Sequence, residues 1–324
     1  MEPPTDRTAL KVPTPSALAH LRATDTRGAV VTLVVCMTTA LGIALSLQDS
    51  VLAWVAGQML LAIAFVQWFV VLHECGHETM FHSRSVNGAV GVLAGWIALI
   101  PFQTWRRIHG RHHKWTGWQN LDPTTEALAP RERSHAERVL LNVCWRLWIP
   151  IFSVLYRVQN FWNIRRVLAM FRREHDRRAI LRETFLASVV YAALFALAGP
   201  GTGMRVAGVA LLLSLIVEDL LLLSQHTHIP QNLSDGSAVR PYPAIEQAPF
   251  TRSLHMPRPV SALILNFDAH ELHHMYPFVP GYHLHRVPYQ PPNEISWWQW
   301  VSRAKRTPAD VLLFTNRLDT GLDV

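Results

Sequence analysis

Two long apolar runs separated by only three residues constrain this chain more than any other feature of its sequence. The runs cover 29–47 and 51–72, and only Gln48, Asp49 and Ser50 lie between them. A helix needs about 20 residues to cross about 30 Å of hydrocarbon, because it rises about 1.5 Å per residue. The two runs therefore predict a tight transmembrane hairpin, and the expected fold class is an all-α integral membrane protein.

A second pair of apolar runs predicts a second hairpin. These runs cover about 184–198 and 206–223, joined by a Gly- and Pro-rich loop at 199–203. A shorter apolar stretch, 89–102, is interrupted by Pro101 and is too short to cross the bilayer fully, so we expect it to dip into the membrane or to lie against the bundle. Segment 130–182 alternates Arg with Trp, Leu and Phe, a pattern typical of amphipathic helices at the membrane interface.

The placement of positive charge predicts the orientation in the membrane. The chain has a net charge of +7, and segment 106–182 alone holds sixteen Lys and Arg against six Asp and Glu. Cytoplasmic loops of membrane proteins carry such an excess. With four spans, both termini and 73–182 are expected on the cytoplasmic side. No DNA- or RNA-binding motif accompanies the basic residues, so we do not expect nucleic acid as a partner.

Three regions follow from these patterns. Residues 1–27 are polar and Pro-rich, show no cleavable signal peptide and are expected to form a cytoplasmic N-terminal tail. Residues 28–290 are expected to form the membrane domain, with a helical cap rich in histidine on the cytoplasmic side. Residues 291–324 are expected to form a cytoplasmic C-terminal tail with a short helix.

The 17 histidines among 324 residues form four short clusters. Two of the clusters have the pattern HxxHH, which chance would produce only about 0.05 times in a chain of this composition. Residues three and four apart share one face of a helix, so such a cluster directs its imidazoles to one point. Neutral imidazole binds iron, zinc and copper. The clusters are His73-Glu74-Cys75-Gly76-His77, His109-Gly110-Arg111-His112-His113, Gln225-His226-Thr227-His228 and His270-Glu271-Leu272-His273-His274.

The clusters and the words around them resemble the membrane fatty-acid desaturases and related hydroxylases. The words are HECGH, WRRIHGRHHKWTG (105–117), QHTHIP (225–230) and HELHHMYPFVPGYHL (270–284), and the resemblance runs from about 50 to 290. It implies four spans, a cytoplasmic cap and two non-haem irons bound by about nine histidines. His226 is the better candidate for the ninth ligand and His228 the reserve. The implied ligands are His73, His77, His109, His112, His113, His226, His270, His273 and His274.

Carboxylates and one amide near these clusters are candidates to orient the ligands. Metal-ligating histidines usually donate their second N–H to a carboxylate or carbonyl, which selects the tautomer. Glu218 and Asp219 lie within an apolar run, where a charge is costly, so they are expected to face the bundle interior. His82 lies on a different face from His77 and is not expected to bind metal. The candidates beside the ligands are Glu74, Asp122, Asn266, Asp268 and Glu271.

The resemblance implies an O2-dependent desaturase that introduces a double bond into a fatty acyl chain. The acyl group would belong to a lipid or a thioester. Electrons would come from a separate ferredoxin- or cytochrome-type carrier with its reductase, since the sequence has neither rubredoxin cysteines nor a flavin motif. The main alternative is a hydroxylase or ketolase of the same superfamily, acting on a fatty acid, alkane or carotenoid.

Two unrelated classes also use such residues. His73-Glu74-x-x-His77 matches the HExxH signature of intramembrane zinc metalloproteases, but that function leaves both HxxHH clusters without a role. Transporters place their ion sites near the middle of the bilayer, whereas these clusters gather at one interface. The sequence therefore favours the two-iron oxidoreductase.

Overall fold

The structure is a computed structural model that describes residues 12–324 and is mostly helical. The long helices alternate with short ones, and a two-stranded parallel sheet pairs Leu254 with Ile295. In chain order the elements are α1 (Asp25–Ser46), α2 (Val51–Gly76), α3 (Arg84–Ile97), α4 (Phe102–Trp115), α5 (His135–Arg146), α6 (Ile151–Arg157), α7 (Ile164–Met170), α8 (Glu174–Gly203), α9 (Val209–His226), β1 (Leu254–His255), α10 (Arg258–Leu263), α11 (His270–Met275), β2 (Ile295–Ser296), α12 (Trp297–Arg306), α13 (Ala309–Phe314) and α14 (Arg317–Thr320).

Helices α1 and α2 form the hairpin that the first two apolar runs predict. The side chain of Ser50 caps α2 by accepting a hydrogen bond from the Ala53 amide, so the three-residue turn ends where α2 begins. Buried Gln58 donates to the Ser46 hydroxyl at 2.9 Å, which satisfies two polar groups inside an apolar pair of helices. Helix α2 continues past the predicted end of its run to Gly76 and so carries His73 within its last turn.

The loop predicted at 199–203 is shorter in the structure. Helical backbone continues on both sides of Gly199, which alone adopts a non-helical conformation with φ 74°, and Pro200 starts the next helical turn. Glycine suits this position because a positive φ strains residues with a Cβ. Beyond it, the Arg205 guanidinium donates to the carbonyls of Leu47 and Gln48, in the turn between α1 and α2.

Three stretches within residues 12–324 are long and apolar enough to cross a membrane: Asp25–Ser46, Val51–Gly76 and the continuous stretch Glu174–His226. The number rises to five if each of two bent pairs of helices counts as one span. The pair α3–α4 bends by 100°, and the pair formed by α5 and Ile151–Trp162 bends by 113°.

The segments after α9 pack over one end of the bundle. Helices α12 and α13 bury Trp300 and Leu312 in a cluster with Trp145 of α5, whose indole N–H donates to the Ala304 carbonyl at 3.0 Å. The opposite face of α5 leaves Leu140 and Leu147 exposed, as expected for a helix at the membrane interface. The C-terminal helices α12 and α13 therefore pack against α5.

Candidate metal centre

Four helices bring eight histidines into two groups, each with ligand atoms that all lie within 4.8 Å of one another. Helix α2 carries the first cluster at its C-terminal end, α4 carries the second, α9 ends on His226, and the short helix α11 contributes to both groups. We call His73, His77, His109 and His273 the first histidine group. We call His112, His226, His270 and His274 the second histidine group.

In the first histidine group the imidazole Nε2 atoms converge. The Nε2 atoms of His77 and His109 are 2.8 Å apart, and that of His73 is buried without a hydrogen-bond partner among the described residues. His113 belongs to neither group but lies beside both. Its Nε2 is 3.0 Å from those of His109 and His273, and its ring stacks on His274 at 4.3 Å.

In the second histidine group the imidazole Nε2 atoms also converge. The Nε2 atoms of His226 and His270 are 2.8 Å apart, and those of His112 and His274 are 3.2 Å apart. His226 and His274 also lie with their ring centroids 5.1 Å apart. His226 is thus the histidine of the third cluster that reaches the centre.

Metal ions fit both groups because the converging nitrogens are acceptors. His112 and His274 have their Nδ1 atoms 2.7 Å from the Asp122 carboxylate and 2.9 Å from the Gln247 carbonyl oxygen. Both partners accept, so Nδ1 carries the proton and Nε2 presents a lone pair. Burial, then the neighbouring imidazoles, lowers the pKa of His270, His273 and His274 well below 6.5. Facing lone pairs repel unless a cation lies between them.

Glu74 and Asp122, two of the predicted orienting residues, contact candidate ligands. Glu74 lies 3.1 Å from His73 Nδ1 and also accepts from Thr79 and from the Gly281 amide. Asp122 accepts from His112 and from the amide and hydroxyl of Thr124. Burial raises the pKa of Asp122, but His112 and the Thr124 amide outweigh it, so the pKa lies below its ordinary 3.8.

Asn266, Asp268 and Glu271, the other three predicted orienting residues, make hydrogen bonds to groups other than the ligand histidines. Asn266 donates to the Gly281 carbonyl at 2.7 Å, Asp268 accepts from Ser261, and Glu271 accepts from the Asn293 amide at 3.0 Å. The Asn266 and Glu271 side chains thus hydrogen-bond to backbone groups and the Asp268 side chain to a hydroxyl, because sequence proximity to a ligand does not fix the direction of a side chain. Glu218 pairs with Arg157 and Asp219 accepts from the Ser153 amide, both inside the bundle as expected.

Two histidines near the clusters lie outside both groups. His228 turns away and places its Nε2 2.9 Å from the Thr320 hydroxyl in the C-terminal segment. His82 is exposed. The reserve ligand His228 is therefore not in position to join the centre, and His82 is placed as expected.

Trp105 and Gln247 support the centre and were not singled out from the sequence. The Trp105 ring stacks on His109 with centroids 4.3 Å apart, and it packs where a Cβ on Gly76 would lie. Gln247 accepts from His274 and donates to the His113 carbonyl at 2.7 Å. Trp105 lies four residues before His109, so helical spacing could have predicted its contact with that histidine. Gln247 lies in a Pro-rich loop without periodicity, so no sequence pattern predicts its contact with His274.

A cavity of about 330 Å³ opens onto both histidine groups. Its histidine end includes Phe69 and Phe267, and the Phe267 ring lies 5.0 Å from that of His73. The residues that line it also include Phe152, Tyr156 and Leu222, and the charged side chains of Arg131 and Glu137. The centre therefore borders a long, mostly apolar space.

Comparison with known proteins identifies the family. The family model "Fatty acid desaturase" matches residues 49–291. A fatty acid desaturase of Bacillus subtilis is 27% identical over 251 residues, which cover 74% of this chain and 68% of that protein. A Delta(12) fatty acid desaturase of Mortierella isabellina is 35% identical over 83 residues, 26% of this chain and 20% of that protein.

An sn-1 acyl-lipid omega-3 desaturase (ferredoxin) of Synechocystis is 29% identical over 89 residues, 28% of this chain and 24% of that protein. Matches to several relatives, the fungal one included, thus span only a fifth to a third of the relative's length. The family match is broader and covers most of the chain, including all four histidine clusters. The chain belongs to the fatty acid desaturase family.

Proposed function

We propose that this chain is an O2-dependent di-iron desaturase that introduces a double bond into a fatty acyl chain. The observation that carries the proposal is the contact between the cavity and the two histidine groups. His73 and His109 of the first group and His112, His226 and His270 of the second line the same apolar space. A metal centre that acts on an alkyl chain needs this arrangement, because the chain must lie beside the metal and away from water.

The proposed ligands are the members of the two histidine groups together with His113. One iron would be held by the first histidine group and the other by the second, with His113 between them. Bound ferrous ions supply the reduction of O2 and the oxidising power that breaks an unactivated C–H bond, which no side chain provides. Glu74 and Asp122 hold His73 and His112 in the tautomer that presents Nε2 to the metal.

The rest of the protein places the substrate. An acyl chain in the cavity would pass between Phe69, Trp105 and Phe267 at the histidine end. Phe69 and Phe267 pack edge to face with centroids 5.7 Å apart, so this wall is rigid. Rigid walls hold one pair of carbon atoms beside the centre, and position along the cavity selects the bond that reacts.

The proposed membrane arrangement has four spans in two hairpins, with both termini and the histidine end cytoplasmic. Arg205 contacts the turn at Leu47–Gln48, whereas His226 at the other end of α9 contacts His270, so α9 runs from the turn side to the histidine side. Gly199 is the break at which α8 and α9 can reverse direction. The excess of Lys and Arg in 106–182 supports a cytoplasmic position for the histidine side.

The proposed partners are an acyl lipid or acyl thioester and an external electron carrier of ferredoxin or cytochrome type with its reductase. The Synechocystis relative carries both "acyl-lipid" and "ferredoxin" in its name. A hydroxylase or ketolase reaction remains the second candidate within the same centre, because a small change in substrate pose changes the outcome. A zinc protease is disfavoured, since HExxH accounts for only His73 and His77 among the nine histidines.

The decisive test is product analysis after expression in a host of known lipid composition. A desaturase yields acyl chains lacking a pair of hydrogens relative to the host's, and a hydroxylase yields chains with one added oxygen atom. Both products are resolved by mass spectrometry of the released fatty acids. An unchanged acyl profile in the presence of a matched electron carrier, from a protein with its iron bound, contradicts the proposal. The exposed-histidine variant His82→Ala is the positive control.

A further inference from the structure

A short segment joins the two helices that meet at the second histidine group. The Arg252 amide donates to the Gln225 carbonyl at 3.0 Å, one residue before His226. The neighbouring Ser253 hydroxyl accepts from the Glu271 amide at 3.0 Å, one residue after His270. Segment 252–253 therefore connects the end of α9 to the start of α11, where the His226 and His270 Nε2 atoms are 2.8 Å apart.

The Arg252 side chain strengthens this connection. One guanidinium nitrogen donates to the Ser224 carbonyl at 2.9 Å and to the Thr227 carbonyl at 3.1 Å, and the other donates to the His228 carbonyl at 3.1 Å. The residue is 4% exposed and has no carboxylate within 4.0 Å among the described residues. A buried guanidinium is costly unless it is fully hydrogen-bonded, and here backbone carbonyls provide the partners.

The end of α9 needs such a partner. The last carbonyls of a helix accept no hydrogen bond from within the helix, and a positive charge beside them is favourable. Arg252 satisfies the carbonyls of Ser224 and Gln225 on one side of His226 and those of Thr227 and His228 on the other. The chain then leaves α9 through His228 with φ 51°, a strained conformation for a residue with a Cβ.

Three members of the first histidine group have no comparable dependence, whereas the fourth, His273, lies on α11. His109 lies inside α4, and His73 and His77 lie four residues apart at the end of α2, where the His77 amide donates to the His73 carbonyl. Their directions follow from regular helix geometry. His226 is instead the last residue of α9, and Arg252 contacts the backbone carbonyls on both sides of it.

We propose that Arg252 is a positioning residue for His226, and that it thereby sets the second histidine group without affecting the first. The inference rests on the proposed function only in that both groups hold metal. It assigns Arg252 no contact with substrate or metal. Ser253 acts in the same way on the His270 side.

The test counts metal ions bound per chain in the purified, detergent-solubilised protein, using ferrous iron under anaerobic conditions and elemental analysis. Arg252→Lys keeps the charge but cannot reach all three carbonyls, and Arg252→Met removes the charge. We expect Arg252→Lys to weaken one metal site about 10–100-fold, the usual effect of losing a contact that orients a ligand. Arg317→Met is the matched control, because Arg317 pairs with Asp323 nearby and its side chain makes no hydrogen bond to 224–228.

Two backgrounds separate positioning from general destabilisation. In His226→Ala the second histidine group is already impaired, so adding Arg252→Lys should remove no more metal. In His77→Ala the remaining metal is held by the second histidine group, so adding Arg252→Lys should release it. Unfolding midpoint and elution as a single species establish that each variant is folded, and Arg252→Lys carries the test if Arg252→Met does not fold.

Equal metal loss from Arg252→Lys in both backgrounds, or none in His77→Ala, overturns the inference. An unchanged metal count in the single variant does so as well. Failure of the proposed function shows differently, because the wild-type protein itself would then bind fewer than two iron ions. That measurement precedes every comparison between variants.

Discussion

The two histidine groups are alike in composition and differ in what holds them. The first histidine group draws three of its ligands from α2 and α4, where they are spaced along regular helix, and the fourth, His273, from α11. Its one carboxylate partner, Glu74, is adjacent in sequence to His73. The second draws on His226 at a helix end and on partners from separate loops: Asp122, Gln247 and Arg252. Regular helix geometry thus orients most ligands of the first group, and contacts between distant segments orient ligands of the second.

Removing one ligand from either histidine group should have the largest effect on turnover and on bound iron. The effect should be the same for both groups. We expect His273→Ala in the first group and His112→Ala in the second to abolish turnover and to lower bound iron while the protein stays in the membrane. The reason is that, in the proposed function, both irons act together on one substrate. Product analysis and iron per chain measure this, and retained turnover in either variant contradicts a joint centre.

Removing the carboxylate partners should sharpen the comparison. Asp122→Asn leaves His112 without its charged acceptor and should weaken metal binding about 10–100-fold in the second group. Glu74→Gln should weaken the first group similarly and should also lower stability more than Asp122→Asn does. Glu74 accepts from the Gly281 amide, 207 residues away, whereas the other donor to Asp122 is Thr124, two residues away. Metal titration separates the first effect from the second, which appears in the unfolding midpoint. Equal midpoints for the two variants would contradict the added structural role of Glu74.

Two glycines near the ligands form a matched pair of smaller effect. A Cβ on Gly76 would overlap the Trp105 indole that stacks on His109, so Gly76→Ala should cost about 1–3 kcal/mol of stability and disturb the first group. A Cβ on Gly110 meets nothing within 4 Å, so Gly110→Ala should stabilise α4 by up to about 1 kcal/mol. Chemical unfolding of both variants tests the contrast. A stable Gly76→Ala variant with normal iron content would contradict this prediction, because it would show that the Trp105 ring can move aside at little cost.

Lowering the pH should destabilise the metal-free protein through the histidines of both groups. The pKa values of His270, His273 and His274 are lowered by burial, so below pH 6.5 the unfolded chain binds protons that the folded chain does not. The free energy of unfolding of the metal-free protein should therefore fall as pH falls from 6.5 towards the lowered values. Unfolding curves across this range measure the slope. The slope should lessen in His273→Ala and in His274→Ala, and it should persist in His82→Ala.

Much of the fold follows from patterns that are visible in the sequence. The first hairpin appears as α1 and α2 because run length and bilayer thickness decide it locally. In the stretch predicted as the second hairpin, Gly199 is the one non-helical residue within α8, where a five-residue loop was expected at 199–203. Periodicity does not report how α3 and α4 bend by 100°, because such a bend depends on what each helix packs against.

The sequence by itself determined which histidines share a helix face, because residues three and four apart are neighbours in any α-helix. It also favoured His226 over His228 through closeness to the helix end. Only the tertiary structure decided which side chains orient those histidines. Gln247 contacts His274 from a loop without periodicity, and Arg252 contacts the backbone on both sides of His226. Asn266, Asp268 and Glu271, beside or near the ligands in sequence, hydrogen-bond instead to groups other than the ligand histidines. The physical reason is that a hydrogen bond depends on direction in space, which sequence distance does not encode.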